Sequence, residues 1–160
     1  MARAEEPNDS GMLLKILFIC LLVVSTVTIH AVGFATLLRV MIRSHALEKE
    51  GFRPVTLLVI ALTAWLIVVH LVEISVWGLF YFWQGCLPNV ESSLYFSAVT
   101  YTTLGDGALA LPGAWRMFAP LETLTALLMC GLSTALFFAL VSRWHGNWMK
   151  WKAARELTNG

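Results

Sequence analysis

The chain has 160 residues, of which 58% are hydrophobic and only 13% charged, with a net charge of +1 and a mean hydropathy of +0.73. A soluble domain carries about a quarter charged residues, so a water-dissolved globule is excluded. The near-zero net charge leaves no basic footprint for nucleic acid.

In chain order, the first long apolar segment is Ile16–Leu38, bounded by Lys15 and Arg39 and interrupted by His30. It exceeds the ~20 residues that a helix needs to cross the hydrocarbon core. Glu5, Glu6 and Asp9 replace the basic start of a secretory signal, so a retained first span is expected. Gly51-Phe52-Arg53-Pro54 closes the connection that follows, and Pro54 suits the first turn of the next helix. The second span, Val55–Trp83, carries His70 and Glu73 but no lysine or arginine. Gly85-Cys86-Leu87-Pro88-Asn89 breaks it, with Asn89 placed to cap a short helix. The apolar stretch around Ser92–Thr103 is too short to span and reads as re-entrant. The third span is Met117–Ser142, between Arg116 and Arg143, and it contains Glu122. Beyond it, Arg143–Lys152 interleaves tryptophans with basic residues, which suits the lipid headgroup layer.

Charge orients these spans. Eight basic residues lie in the first connection and the C-terminal tail, against three on the opposite side. The expected topology therefore has the N-terminus outside and the C-terminus in the cytoplasm, with the re-entrant segment entering from the outer face. Cys20 and Cys130 fall within spans, and Cys86 in the outer loop is expected as a free thiol, with a cross-link between chains as the alternative.

Thr102-Thr103-Leu104-Gly105-Asp106-Gly107 follows the short helical stretch. Glycine takes φ > 0 without steric cost, so alternate residues there can turn their carbonyls toward a common axis. A ring of such carbonyls can replace the hydration shell of a cation. One loop cannot enclose a pathway, whereas a symmetric ring of identical chains can. The short helix would aim the negative end of its dipole at that pathway. The competing reading is a plain glycine-rich turn with Asp106 solvated.

The block Leu94–Arg143 resembles the pore domain of potassium-channel-like pore-loop channels, especially small bacterial members with an extra N-terminal span. Leu94-Tyr95-Phe96-Ser97 and Thr100-Tyr101-Thr102-Thr103-Leu104-Gly105 look like the pore helix and filter entrance of that family. Trp115-Arg116 and Gly131-Leu132-Ser133-Thr134-Ala135 look like the start and middle of its inner helix, and His70, Glu73 and Trp77 resemble its outer helix. Potassium-selective members have tyrosine where this chain has Asp106, and Ala108 stands where they have an acid. Leu-Gly-Asp-Gly is instead similar to the filter of non-selective NaK-type channels.

The resemblance implies an all-α membrane protein: three transmembrane helices, one re-entrant pore helix and a selectivity-filter loop, assembled as a homotetramer in a bacterial inner membrane. The expected divisions are residues 1–53, a pore domain at 54–143 and an interfacial tail at 144–160. Within the pore domain they are an outer helix at 55–83, a pore helix at 90–102, a filter at 103–107 and an inner helix at 117–143. Thr103, Leu104 and Gly105 would coordinate Na⁺ and K⁺, with Asp106 and Gly107 at the outer mouth. Thr102, Tyr101, Glu122, Glu73 and His70 would support the filter, and Gly131 would be a hinge. For Glu122, interfacial solvation is the other reading, and for Gly131 it is close helix packing.

The expected activity is passive, weakly selective monovalent cation conduction, with K⁺ selectivity as the alternative. Four Asp106 carboxylates near one axis could recruit Ca²⁺ as a blocker. Lipids are the only other partners expected, with no cofactor, organic substrate or nucleic acid. Two remoter readings remain: a non-conducting membrane adaptor, and an intramembrane enzyme built on a metal at His70, Glu73 and His30.

Overall fold

The computed structural model describes residues 9–43, 52–105 and 107–159; Asp106 lies outside the described residues. Four α-helices follow in order: α1 (Asp9–Arg43), α2 (Phe52–Trp83), α3 (Val90–Tyr101) and α4 (Phe118–Asn159). A 3-10 turn at Gly113–Trp115 precedes α4. No strand occurs among the described residues. Three helical stretches are long and apolar enough to cross a membrane, at Gly11–Arg43, Thr56–Trp83 and Gly113–Leu157. The protein is thus an all-α, multi-pass membrane protein.

The observed helices outrun the apolar runs that announce them. α1 begins at Asp9 and reaches Arg43, and α2 begins at Phe52. α4 continues without a break through the basic and aromatic segment to Asn159. Its 42 residues amount to roughly 63 Å of helix at 1.5 Å per residue, more than one crossing of the hydrocarbon needs. Trp115-Arg116 does not start this helix; Trp115 ends the 3-10 turn, and α4 starts at Phe118.

The chain divides into two compact units. The first comprises the described residues of Met1–Thr28 and Glu73–Ala126. Its core gathers aromatic side chains, with Trp77, Tyr81 and Phe118 at 0–1% exposure. Phe80 stacks on Phe118 at 5.4 Å, and Trp115 meets Phe118 edge-on at 5.0 Å. The Trp77 indole donates to Thr26 Oγ1 at 3.0 Å. That bond ties α1 to α2 and satisfies a buried N–H that lipid could not.

In this unit α2 ends in a Schellman turn. Gly85 has φ +64°, its N–H bonds the Phe82 carbonyl at 2.9 Å, and the Cys86 N–H reaches back to Tyr81 at 3.0 Å. Glycine at this left-handed position avoids the Cβ penalty. Asn89 then caps α3, its side chain accepting from the Ser92 N–H at 2.7 Å. Stop and start signals four residues apart make the chain turn back on itself.

The second unit comprises the described residues of Ile29–Val72 and Leu127–Gly160. Its core is smaller and aliphatic: Leu37, Met41, Leu62 and Leu140 are buried. The Trp65 indole donates to the Gly33 carbonyl at 3.0 Å, linking α2 to α1. The helices are apolar on nearly every side, so many large side chains, among them Val40, Ile67, Leu128 and Phe138, remain exposed. Such faces need lipid or protein against them.

Candidate functional site

The loop after α3 is held from behind before it is shaped. Gly78 on α2 lets α3 approach closely: a Cβ there would lie 2.9 Å from Leu94 Cδ2 and 3.0 Å from Leu94 Cα. α3 ends at Tyr101, with Thr102 as its C-cap rather than its last residue. Thr102 bonds the Ala98 carbonyl twice, through its N–H at 3.0 Å and its Oγ1 at 2.7 Å. The Thr100 carbonyl accepts from the Thr103 N–H and from Thr123 Oγ1 on α4, both at 3.1 Å. The negative end of the α3 dipole therefore sits where the loop begins.

Thr103 has φ +60° and Gly105 has φ +70°, with Leu104 between them outside the positive region. Alternating the sign of φ is the backbone pattern by which successive carbonyls can face a common side. A left-handed β-branched residue costs about 1–2 kcal/mol. Here the bonds from Thr103 N–H to Thr100 and from Gly105 N–H to Val99 hold it in place. Thr102, Thr103, Leu104, Gly105 and Gly107 are all exposed, Leu104 at 76%. Asp106, the remaining residue of this stretch, lies outside the described residues.

Two buried carboxylates stand behind the loop. Glu122 on α4, at 0% exposure, accepts from Tyr81 Oη at 2.7 Å and lies 2.5 Å from Ser97 Oγ. The Ser97 hydroxyl is also 2.9 Å from the Ile74 carbonyl, and its one proton serves one of these acceptors at a time. Interfacial solvation of Glu122 does not occur. Glu73 on α2, equally buried, accepts from Tyr101 Oη at the end of α3. One carboxylate thus grips the middle of α3 and the other its end. The sequence points to Glu73, Glu122 and Tyr101, and to Tyr81 as the continuation of the His70, Glu73 and Trp77 stripe, but not to Ser97, Thr123 or Gly78 as their counterparts.

The match to known families agrees with this geometry. Residues 56–143, more than half of the chain, match the family model described as ion channel. The chain belongs to the ion channel family. The matched part of the channel holds α2 from its first turns, α3, the loop and α4 as far as Arg143, while α1 lies outside it. Among curated proteins and solved structures nothing matches.

His70 and Gly131 belong to the second unit of the channel. His70 Nε2 lies 3.0 Å from Ser133 Oγ on α4. The same hydroxyl lies 3.4 Å from Nε2 of the buried His30 on α1. Gly131 is exposed, and among the described residues a Cβ on it would meet nothing within 4 Å. Close packing inside the protomer therefore does not explain this glycine.

Proposed function

We propose that the channel conducts Na⁺ and K⁺ passively and with weak discrimination, through a ring of four of these loops. The observation that carries the reading is the alternation of backbone sign at Thr103, Leu104 and Gly105, held at the negative end of α3. Carbonyls turned to one side by that alternation form one quarter of a dehydrating ring. Three further copies supply the rest, since each chain contributes one loop. The bareness of Leu104, and of Leu128, Gly131, Ala135 and Phe138 along α4, supports burial by neighbouring copies. Thr103, Leu104 and Gly105 coordinate the ion in this reading, and Asp106 and Gly107 shape the outer mouth.

Weak selectivity follows from Asp106 standing where potassium-selective relatives carry tyrosine: aspartate lacks the aromatic body that wedges a filter narrow. Its four carboxylates attract cations and give external Ca²⁺ a blocking site. The location we propose is a bacterial inner membrane, N-terminus outside, on the basic-residue excess of the first connection and tail. Gly131 serves as the bend of α4.

A K⁺-selective reading has one observation in its favour. The Glu122 and Glu73 hydrogen bonds brace α3 at two levels and could hold a narrow filter without the tyrosine. Bi-ionic reversal potentials of the purified channel in liposomes decide. Na⁺ and K⁺ permeabilities within a few-fold of each other support the first reading, and a large K⁺ preference overturns it. Monovalent current untouched by external Ca²⁺ would remove the Asp106 blocking site. A native protein mass other than four chains of 17.8 kDa would remove the tetramer.

A further inference from the structure

Two histidines, from two different helices, meet at one serine of a third. His30 on α1 is 2% exposed and His70 on α2 is half-buried. Both turn Nε2 toward the buried Ser133 Oγ on α4, at 3.4 and 3.0 Å. Their ring centroids are 5.3 Å apart and their planes are inclined by 43°. Apolar packing needs none of these groups, and ionisable side chains within a span are costly enough to mark function.

We propose that His30, His70 and Ser133 form a binding site for a divalent transition-metal cation of the Zn²⁺ class. Both imidazole nitrogens lie within 3.4 Å of one hydroxyl oxygen, so shifts on the order of 1 Å could seat an ion among the three atoms at the 2.0–2.1 Å of a Zn–N bond. Imidazole ligands select Zn²⁺, Co²⁺, Ni²⁺ and Cu²⁺ over Mg²⁺ and Ca²⁺, which take oxygen. The serine hydroxyl lies where a third ligand belongs, and water can complete the set. Bound metal would pin α4 to α1 and α2 two residues beyond Gly131, which makes the site a brake on bending of α4. The filter, with its oxygen ligands, is a separate place with separate chemistry.

Co²⁺ titration of the full-length channel in detergent, read by visible d–d absorption, is the test. One Co²⁺ per chain is expected, displaced by Zn²⁺ and indifferent to excess Mg²⁺. The variant H30Q/H70Q keeps His45 and His145 and should bind at least about tenfold more weakly. S133A should lose less, because water can take the place of the hydroxyl. Equal binding by wild type and H30Q/H70Q would assign the metal elsewhere and overturn the site. Absence of the band in the wild type overturns it without relying on any variant to fold. Should the double variant misfold, H30Q and H70Q alone serve, each expected to weaken binding and each overturning the site by leaving it unchanged.

Discussion

The two units of this channel are built from stretches of the same three long helices, yet they hold together by different means. The unit containing the pore loop has an aromatic core crossed by buried polar pairs: Trp77 with Thr26, Tyr81 and Ser97 with Glu122, Tyr101 with Glu73. The other unit has an aliphatic core around Leu37, Met41, Leu62 and Leu140, crossed among its described residues by the Trp65–Gly33 bond and a His–Ser–His cluster. In lipid, apolar contact gains little, because hydrocarbon tails are as apolar as leucine. Directional bonds between polar groups are what make one arrangement better than its neighbours. The loop unit should therefore be the harder of the two to deform.

The largest test of that contrast is E122A. It removes the acceptor of Tyr81 and leaves Ser97 without one of its two partners inside an apolar core. The expected loss is roughly 3 kcal/mol, read as failure of the channel to survive as an assembled species on native gels. E122Q, which keeps an acceptor oxygen, should recover much of the assembly. If E122A assembles like wild type, the polar brace is not what stiffens the loop.

Next in size is G78A. The added methyl group would press on both the side chain and the Cα of Leu94, so α3 itself must move. Overpacking of this kind costs about 1–3 kcal/mol. Because α3 carries the loop, a change in ion selectivity should accompany the thermal destabilisation. A destabilised channel with unaltered reversal potentials would separate α3 position from filter geometry.

L62A probes the other unit. Leu62 is 1% exposed, in the aliphatic core. In a soluble protein the loss could reach about 5 kcal/mol, but much of that is transfer out of water. Here the alternative surrounding is lipid, which leaves mainly the cavity and lost packing, about 1–2 kcal/mol. Thermal unfolding in detergent should rank E122A below L62A; the reverse order would undo the comparison.

What was legible in the sequence follows the same division. Unbroken apolar runs bounded by charge announce α1, α2 and α4, because a helix in lipid must be apolar nearly all round. Gly85 and Asn89 announce the stop and the restart, because each satisfies helix-end groups through local chemistry. That Glu73 would bond His70, the pore helix or the inner helix was legible from its place within a span, but the partner residues of Glu73 and Glu122 were not, since a pairing across helices has no fixed spacing along the chain. Gly78 gave no sign either, because a glycine needed for close approach looks like any other glycine in a span. The extent of α4 was missed for a different reason: tryptophan and lysine are as compatible with a helix leaving the bilayer as with an irregular interfacial tail. Thr103 shows the limit most sharply. Reading the loop through its glycines left no reason to expect a β-branched residue at positive φ, which only surrounding hydrogen bonds can enforce.

The smallest expected effect concerns Cys86, at the rim of the aromatic core. The structure leaves it a free thiol, 8% exposed, and burial pushes its pKa above the ordinary thiol value. A raised pKa means less thiolate at neutral pH, and thiolate is the reacting form. In a C20S/C130S background, a charged thiol reagent should therefore label Cys86 more slowly in the native channel than in the unfolded chain. The rate should keep rising at pH values where labelling of the unfolded chain has levelled off. If the loop unit is as stiff as its polar brace suggests, G78A, which presses on α3, should quicken this labelling, whereas L62A, acting in the other unit, should leave it unchanged. Native labelling at the unfolded rate would mean that the turn between α2 and α3 opens freely, and the contrast between a stiff unit and a yielding one would fail at its rim.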